Sequence, residues 1–202
     1  MLFRSNYKNV VSDYFLAWGD ETKLLIEHYN KTTNVVICGN PTLKVKQKAK
    51  GDFFTVVFDQ QLYNEYNKQL LEIAKAVSDK LSIKIKVKLH PRNILDEYNL
   101  DKNHVFNEED IYSSLVIIGH TTTMMFELMR AGIPVYKYKT SIPFNSINID
   151  IIFENINDLI FKIANPENID YEKESEFYIK YVEKDSLIRY NEFFGKIVHA
   201  KN

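Results

Sequence analysis

Apolar runs of four to seven residues alternate along the chain with longer stretches of helical period. That alternation is the pattern of an α/β protein with a mainly parallel sheet. The runs Tyr14–Trp18, Val35–Cys38, Thr55–Phe58, Ile83–Leu89, Leu115–Ile118 and Val135–Tyr138 read as strands, with a short apolar segment near Val105 and Phe106. A helix opened by Asp20 and Glu21 follows the first run, its acidic residues suited to the helix dipole, and is expected to bury Leu24, Leu25 and His28. A longer helix over about 62–80 carries the apolar stripe Leu70, Leu71, Ile73, Ala74 and Val77. Another runs from about Thr122 to Arg130 and is stopped by Ala131-Gly132-Ile133-Pro134, with Gly placed as a C-terminal cap. The remainder reads as helices near 156–164 and from about 172 to 198.

Breakers divide this pattern. Gly39-Asn40-Pro41 ends the second run, and the lysine-rich segment TLKVKQKAKGD (42–52) has almost nothing to bury. The expected organisation is therefore an early segment 1–41, a linker 42–52, a Rossmann-like unit 53–150 and C-terminal helices 151–202 packing back. Charge adds little: 26 Lys and Arg against 27 Asp and Glu leave a net charge of −1, which removes any global electrostatic argument for nucleic acid. No apolar run reaches membrane-spanning length, and MLFRSNYKNV lacks the apolar core of a signal peptide, so a cytoplasmic setting is expected, or a peripheral one at the inner face of the membrane. The single cysteine, Cys38, excludes an internal disulfide, gives no metal cluster and reads as a small buried residue.

Two places can carry chemistry. His90-Pro91 ends the run IKIKVKLH; proline holds the preceding residue extended and stops the ladder, which leaves His90 at the carboxyl end of a strand. That edge is where open α/β sheets bind ligands, and an imidazole there can donate to a phosphate. The bland alternative is a strand that happens to stop at His-Pro. The second place is Gly119-His120-Thr121-Thr122-Thr123, between a buried strand and a helix start, where unpaired N–H groups and hydroxyls suit an anion. One threonine capping the helix is the bland alternative there. Glu127 shares a helix face with Thr123 amid apolar residues; a ribose hydroxyl pair or a salt bridge to Arg130 or a linker lysine would satisfy it. Asp59-Gln60-Gln61 reads equally as a donor contact or a capping turn. His28, His104 and His199 show no partner spacing, and no HExxH, Walker A or GxGxxG pattern occurs.

KLHP, followed some thirty residues later by GHTTTMMFELMRAGIPVY, resembles the second domain of bacterial GT-B glycosyltransferases, the sialyl-, polysialyl-, Kdo- and polyol-phosphate transferases. The segment DYFLAWGDETKLLIEHY…NVVICGNP is similar to the end of that family's first domain and its crossover. The resemblance implies a GT-B C-terminal domain with a remnant of a partner domain. His90, Thr121, Thr122 and Thr123 would bind donor phosphate, with His90 stabilising the leaving group, and Glu127 would contact the ribose. It implies a metal-independent, inverting transfer from a CMP- or CDP-linked donor to a capsule or lipopolysaccharide glycan, with no other cofactor and a general base not identified. Departures are the short early segment, which leaves a truncated product or a second chain supplying the rest as the alternatives, Thr-Thr-Thr where Ser-Ser is commoner, and Lys84, Lys86 and Lys88 on one face of the His-Pro strand. A non-catalytic nucleotide-binding or interaction module, or a relative of the sugar-nucleotide 2-epimerases, are the alternatives.

Overall fold

The computed structural model describes residues 10–100, 108–142, 149–166 and 169–199; the expected segment near Val105 and Phe106 lies outside them. Along the chain the main elements are β1 (Tyr14–Ala17), α1 (Asp20–Tyr29), β2 (Asn34–Ile37), β3 (Phe53–Val57), α2 (Asn64–Leu81) and β4 (Lys84–Lys88). There follow β5 (Ser114–Gly119), α3 (Met124–Met129), β6 (Val135–Tyr138), β7 (Ile152–Phe153), α4 (Ile156–Ala164), α5 (Tyr171–Ser175) and α6 (Glu183–His199). They form two compact units, Met1–Val45 with Lys173–Asn202, and Lys46–Glu172. The second unit therefore continues past the expected end at 150 and includes β7 and α4. The chain from Lys173 onward belongs with the early segment.

The larger unit is a five-stranded sheet in the order β4-β3-β5-β6-β7, every pair parallel. Parallel strands with crossover helices are covered on both faces, and the core is correspondingly double. On one face Phe54, Val56, Val87, Ile118, Tyr136 and Phe153 pack with Leu70, Leu71, Ala74 and Val77 of α2 and Leu159 of α4. On the other, Val57, Ile117 and Val135 pack with Met125, Leu128 and Met129 of α3. The lysine row of the His-Pro strand is explained by position: β4 is an edge strand, not a central one. Val87 is buried while Lys84 projects into solvent and Lys86 lies over the Phe53 ring, 4.3 Å from its centre. A strand covered on one side needs only alternate apolar residues.

The smaller unit has β1 and β2 paired in parallel, with α1 as their crossover. Helix α1 buries Ile26 rather than the expected Leu24 and His28; Leu24 is 52% exposed. A single 172–198 helix was expected, but the segment is broken into α5 and α6. Between them Lys180 N–H donates to the Trp18 carbonyl (2.9 Å) and Asn40 N–H to the Tyr181 carbonyl (2.8 Å). Gly39 sits at φ +79°, and a Cβ there would collide with the Tyr181 backbone, so the turn requires glycine. Cys38 is buried, and burial pushes its thiol pKa up.

Candidate functional site

Strand order fixes where a crevice opens. From β3 the chain passes to β4 on one side, then returns to place β5 on the other. The connections leaving the neighbouring strands β3 and β5 run in opposite directions, to β4 and to β6, which creates the switch point at which open α/β sheets bind ligands, outside the carboxyl ends of the strands. The residues that follow β3, β4 and β5 are Phe58-Asp59, Leu89-His90 and His120-Thr121. The topology thus brings His90 and Thr121–Thr123 to one edge, flanking β3 and its Asp59.

Beneath that edge lies a buried polar network. Asn67, fully buried on α2, accepts from Asp59 N–H (3.0 Å) and donates to the Asp59 carbonyl (2.9 Å). The backbone partners fix the amide orientation, so its Oδ1 is an acceptor and His120 Nε2, 2.9 Å away, carries a hydrogen. The other ring nitrogen of His120, Nδ1, is 2.9 Å from Thr121 Oγ1, which also meets Asp59 Oδ2. Asp59 Oδ1 accepts from Gln60 N–H (2.6 Å). Toward His90 the network runs through Tyr98, whose hydroxyl accepts from Asn67 (3.4 Å) and Asn93 (3.1 Å). Asn93 Oδ1 in turn accepts from the His90 N–H (2.8 Å). His120 is completely buried, and burial, reinforced by the Lys137 charge and opposed by Asp59, pulls its pKa down to about 4.

What remains outward is a set of donors and one carboxylate. His90 Nδ1 accepts from Arg92 N–H (3.2 Å), which puts the proton of the neutral ring on Nε2 and leaves that N–H without a partner among the described residues. The Thr121 hydroxyl is committed inward. Thr122 Oγ1 accepts from Met124 N–H (3.4 Å), a weak capping contact, and Thr123 makes no side-chain cap. The backbone N–H groups of Thr121, Thr122 and Thr123 bond to no described residue, an arrangement that suits an anion. Glu127 is half-buried, its pKa raised by burial, and its carboxylate has no partner among the described residues. The salt bridge to Arg130 does not form; the Arg130 guanidinium donates to the Glu172 carbonyl (3.4 Å). Among the described residues no cluster of three or more metal-ligating side chains occurs.

Similar architecture occurs in solved structures of sugar-handling enzymes. The pneumococcal O-GlcNAc transferase GtfA in complex with UDP and GlcNAc matches with a TM-score of 0.59 at 10% identity, over 98% of this chain and 47% of that one. The S. aureus MnaA–UDP co-structure matches at 0.56 and 14% identity, over 92% of this chain and 60% of that one. A putative UDP-N-acetylglucosamine 2-epimerase from Listeria monocytogenes matches at 0.54 and 12%, over 92% and 60%. The fold is Rossmann-like, of the GT-B kind. The chain spans between 47% and 60% of the length of these structures. No family model and no curated protein matches the sequence.

Of the network, the sequence pointed to His90, to the 119–123 turn and, ambiguously, to Asp59. Asn67, Asn93 and Tyr98 were not singled out. A signal existed for Asn67: it is the one polar member of the buried α2 stripe Asn67, Leu70, Leu71, Ala74, Val77. A buried amide at a core position demands partners.

Proposed function

We propose that the Lys46–Glu172 unit binds the nucleotide end of an activated sugar. In this reading the donor phosphate lies against His90 Nε2–H, the N–H groups of Thr121–Thr123 and the Thr122 and Thr123 hydroxyls, with the ribose at Glu127. The observation that carries it is the set of unspent donors at the switch point of the sheet, above a buried network that commits His120 and the Thr121 hydroxyl inward. As the bond between the sugar's anomeric carbon and phosphate oxygen breaks, negative charge grows on the phosphate. Fixed N–H donors stabilise that charge without a metal. The acceptor hydroxyl loses its proton to a base supplied from outside these residues. The resemblance of KLHP and GHTTT to transferases using CMP- and CDP-linked donors makes cytidine the expected base, and a growing surface glycan the expected acceptor. Structural similarity to enzymes crystallised with UDP makes uridine the competitor to test.

Calorimetric titration with CMP, CDP, UDP and GDP tests the reading. A cytidine nucleotide should bind, and His90→Ala should cost ~1.5–3 kcal/mol, a ten- to hundredfold loss for a hydrogen bond to a charged partner. Equal affinity in the variant would leave His90 as a strand-end residue and sink the proposal.

A further inference from the structure

The inward network has a hydrogen count that does not close with ordinary protonation states. Asn67 Oδ1 obliges His120 Nε2 to carry a hydrogen, so a neutral His120 presents a bare Nδ1 to Thr121 Oγ1. An ionised Asp59 presents a bare Oδ2 to the same oxygen. The Thr121 hydroxyl has one hydrogen and cannot donate to both. Both contacts become hydrogen bonds only with one more proton. It can sit on Nδ1, with Thr121 donating to Asp59, or on Oδ2, with Thr121 donating to Nδ1. The two forms interconvert by a hop through the hydroxyl, with no change in net charge.

We propose that His120 is a positioning residue of the nucleotide site: with Asp59 it holds one proton shared through the Thr121 hydroxyl, and that proton ties the 121–123 turn to Asp59 at the end of β3. The claim that a nucleotide is what the turn receives rests on the reading above; the shared proton does not. Groups facing the triad come from three directions. Lys137 of β6 opposes a charge on His120. The Tyr63 and Tyr66 rings stand 6.0 and 5.9 Å from the His120 ring, and Tyr98 reaches it through Asn67. Burial and Lys137 disfavour an imidazolium and Asp59 favours one, while the two contacts of Thr121 Oγ1 place the proton's two sites on either side of one hydroxyl. When it is lost, Thr121 must release either His120 or Asp59, and the turn loosens. Anion affinity therefore falls as pH rises through the triad's titration.

The test is a nitrogen-15 NMR titration of the His120 ring in the whole, ligand-free chain, begun below its lowered pKa and run from about pH 3.5 to 8.5, with Thr121→Ser and Thr121→Val alongside. Nε2 should stay protonated, and Nδ1 should titrate in the native protein and in Thr121→Ser, which keeps the hydroxyl. In Thr121→Val, which cuts the bridge, that titration should vanish or move by more than about one pH unit. An Nδ1 signal flat across the range, or a titration identical in the Val variant, overturns the proposal. CDP titrations across the same range read the consequence: affinity should drop roughly tenfold at high pH in native protein and be pH-independent in Thr121→Val. Should the NMR titration appear while no nucleotide binds, the shared proton stands and the nucleotide reading fails. A Val variant that does not fold leaves the native and Ser titrations to decide, since a flat native Nδ1 is enough to refute the idea.

Discussion

Replacing Asn67 by Leu keeps the branched shape of the side chain at a buried α2 position while removing its hydrogen-bonding groups. Three buried groups lose their main bond: Asp59 N–H at 3.0 Å, the Asp59 carbonyl at 2.9 Å and His120 Nε2–H at 2.9 Å. The Tyr98 contact at 3.4 Å is weak and retains Asn93. An orphaned buried polar group costs ~1–3 kcal/mol, so three amount to roughly 3–9 kcal/mol. Burying the leucine returns ~1.5–3 kcal/mol. At the midpoints of the two ranges the net loss is about 4 kcal/mol, a large part of the ~5–15 kcal/mol that holds a typical domain together. Because the chain comprises two units, a single unfolding midpoint would mix them. Hydrogen exchange of the β3 and β5 amides reports the larger unit alone. Protection there should fall by at least 2 kcal/mol, with Ala17 and Ile37 of the smaller unit unchanged. A loss under about 1 kcal/mol would mean that the three groups find other partners, and the network would not be the structural floor of the site.

Glycine positions separate hard from soft neighbours. At Gly51 a Cβ would run into the Ser113 carbonyl, whereas at Gly119 the nearest atoms, at 2.5 and 3.0 Å, are the flexible Sδ and Cγ of Met125. Gly51→Ala should thus destabilise the larger unit by ~2–3 kcal/mol and Gly119→Ala by ~1 kcal/mol or less, measured by the same exchange; the reverse ranking would refute the packing argument. Phe153→Ala, at a fully buried position of β7, should cost ~3–5 kcal/mol, and a cost near zero would detach β7 from the core. Burial raises the Glu127 pKa in the folded chain, so its ionisation opposes folding once pH exceeds the unfolded-state value, and fully so above the folded one. Glu127→Gln should stabilise the protein at about pH 7.5, give no gain at about pH 4, and weaken nucleotide binding. A gain that persists in acid would point to a cause other than ionisation.

The α/β alternation was legible because each central strand is sheathed on both faces and so reads as a short apolar run: Ser114–Gly119 holds LVII and Phe53–Val57 holds FFTVV. Val135–Tyr138 and Ile156–Ala164 coincide with their expected bounds. β7 was not legible, since two residues, Ile152 and Phe153, carry no periodicity. The break between α5 and α6 was also hidden. Its backbone groups are taken by Trp18, Glu21 and Asn40 partners far away in sequence, and helical propensity says nothing about such bonds.

The His90 and 119–123 turns were visible because Pro91 and Gly119 punctuate apolar strands, yet the turn was read as if all its polar side chains faced outward. Alternation along β5 argues otherwise for one of them. Val116 and Ile118 pack in the cluster beneath α2, and a step of two carries the same face to His120. The same stripe of α2 that covers Ile118 has Asn67 at its amino-terminal end, where the carboxyl edge of the sheet lies. Two polar residues placed on facing apolar surfaces have to satisfy one another, because neither reaches water. Their pairing follows from strand parity and helix stripe together, though from neither alone. It also decides the chemistry above it. With His120 and the Thr121 hydroxyl spent inward, what is left to meet an anion is the backbone of the turn, the hydroxyls of Thr122 and Thr123, and the Nε2–H of His90. Substituting Thr122 or Thr123 should then weaken anion binding through a lost donor, while substituting Thr121 should act through the shape of the turn and change with pH.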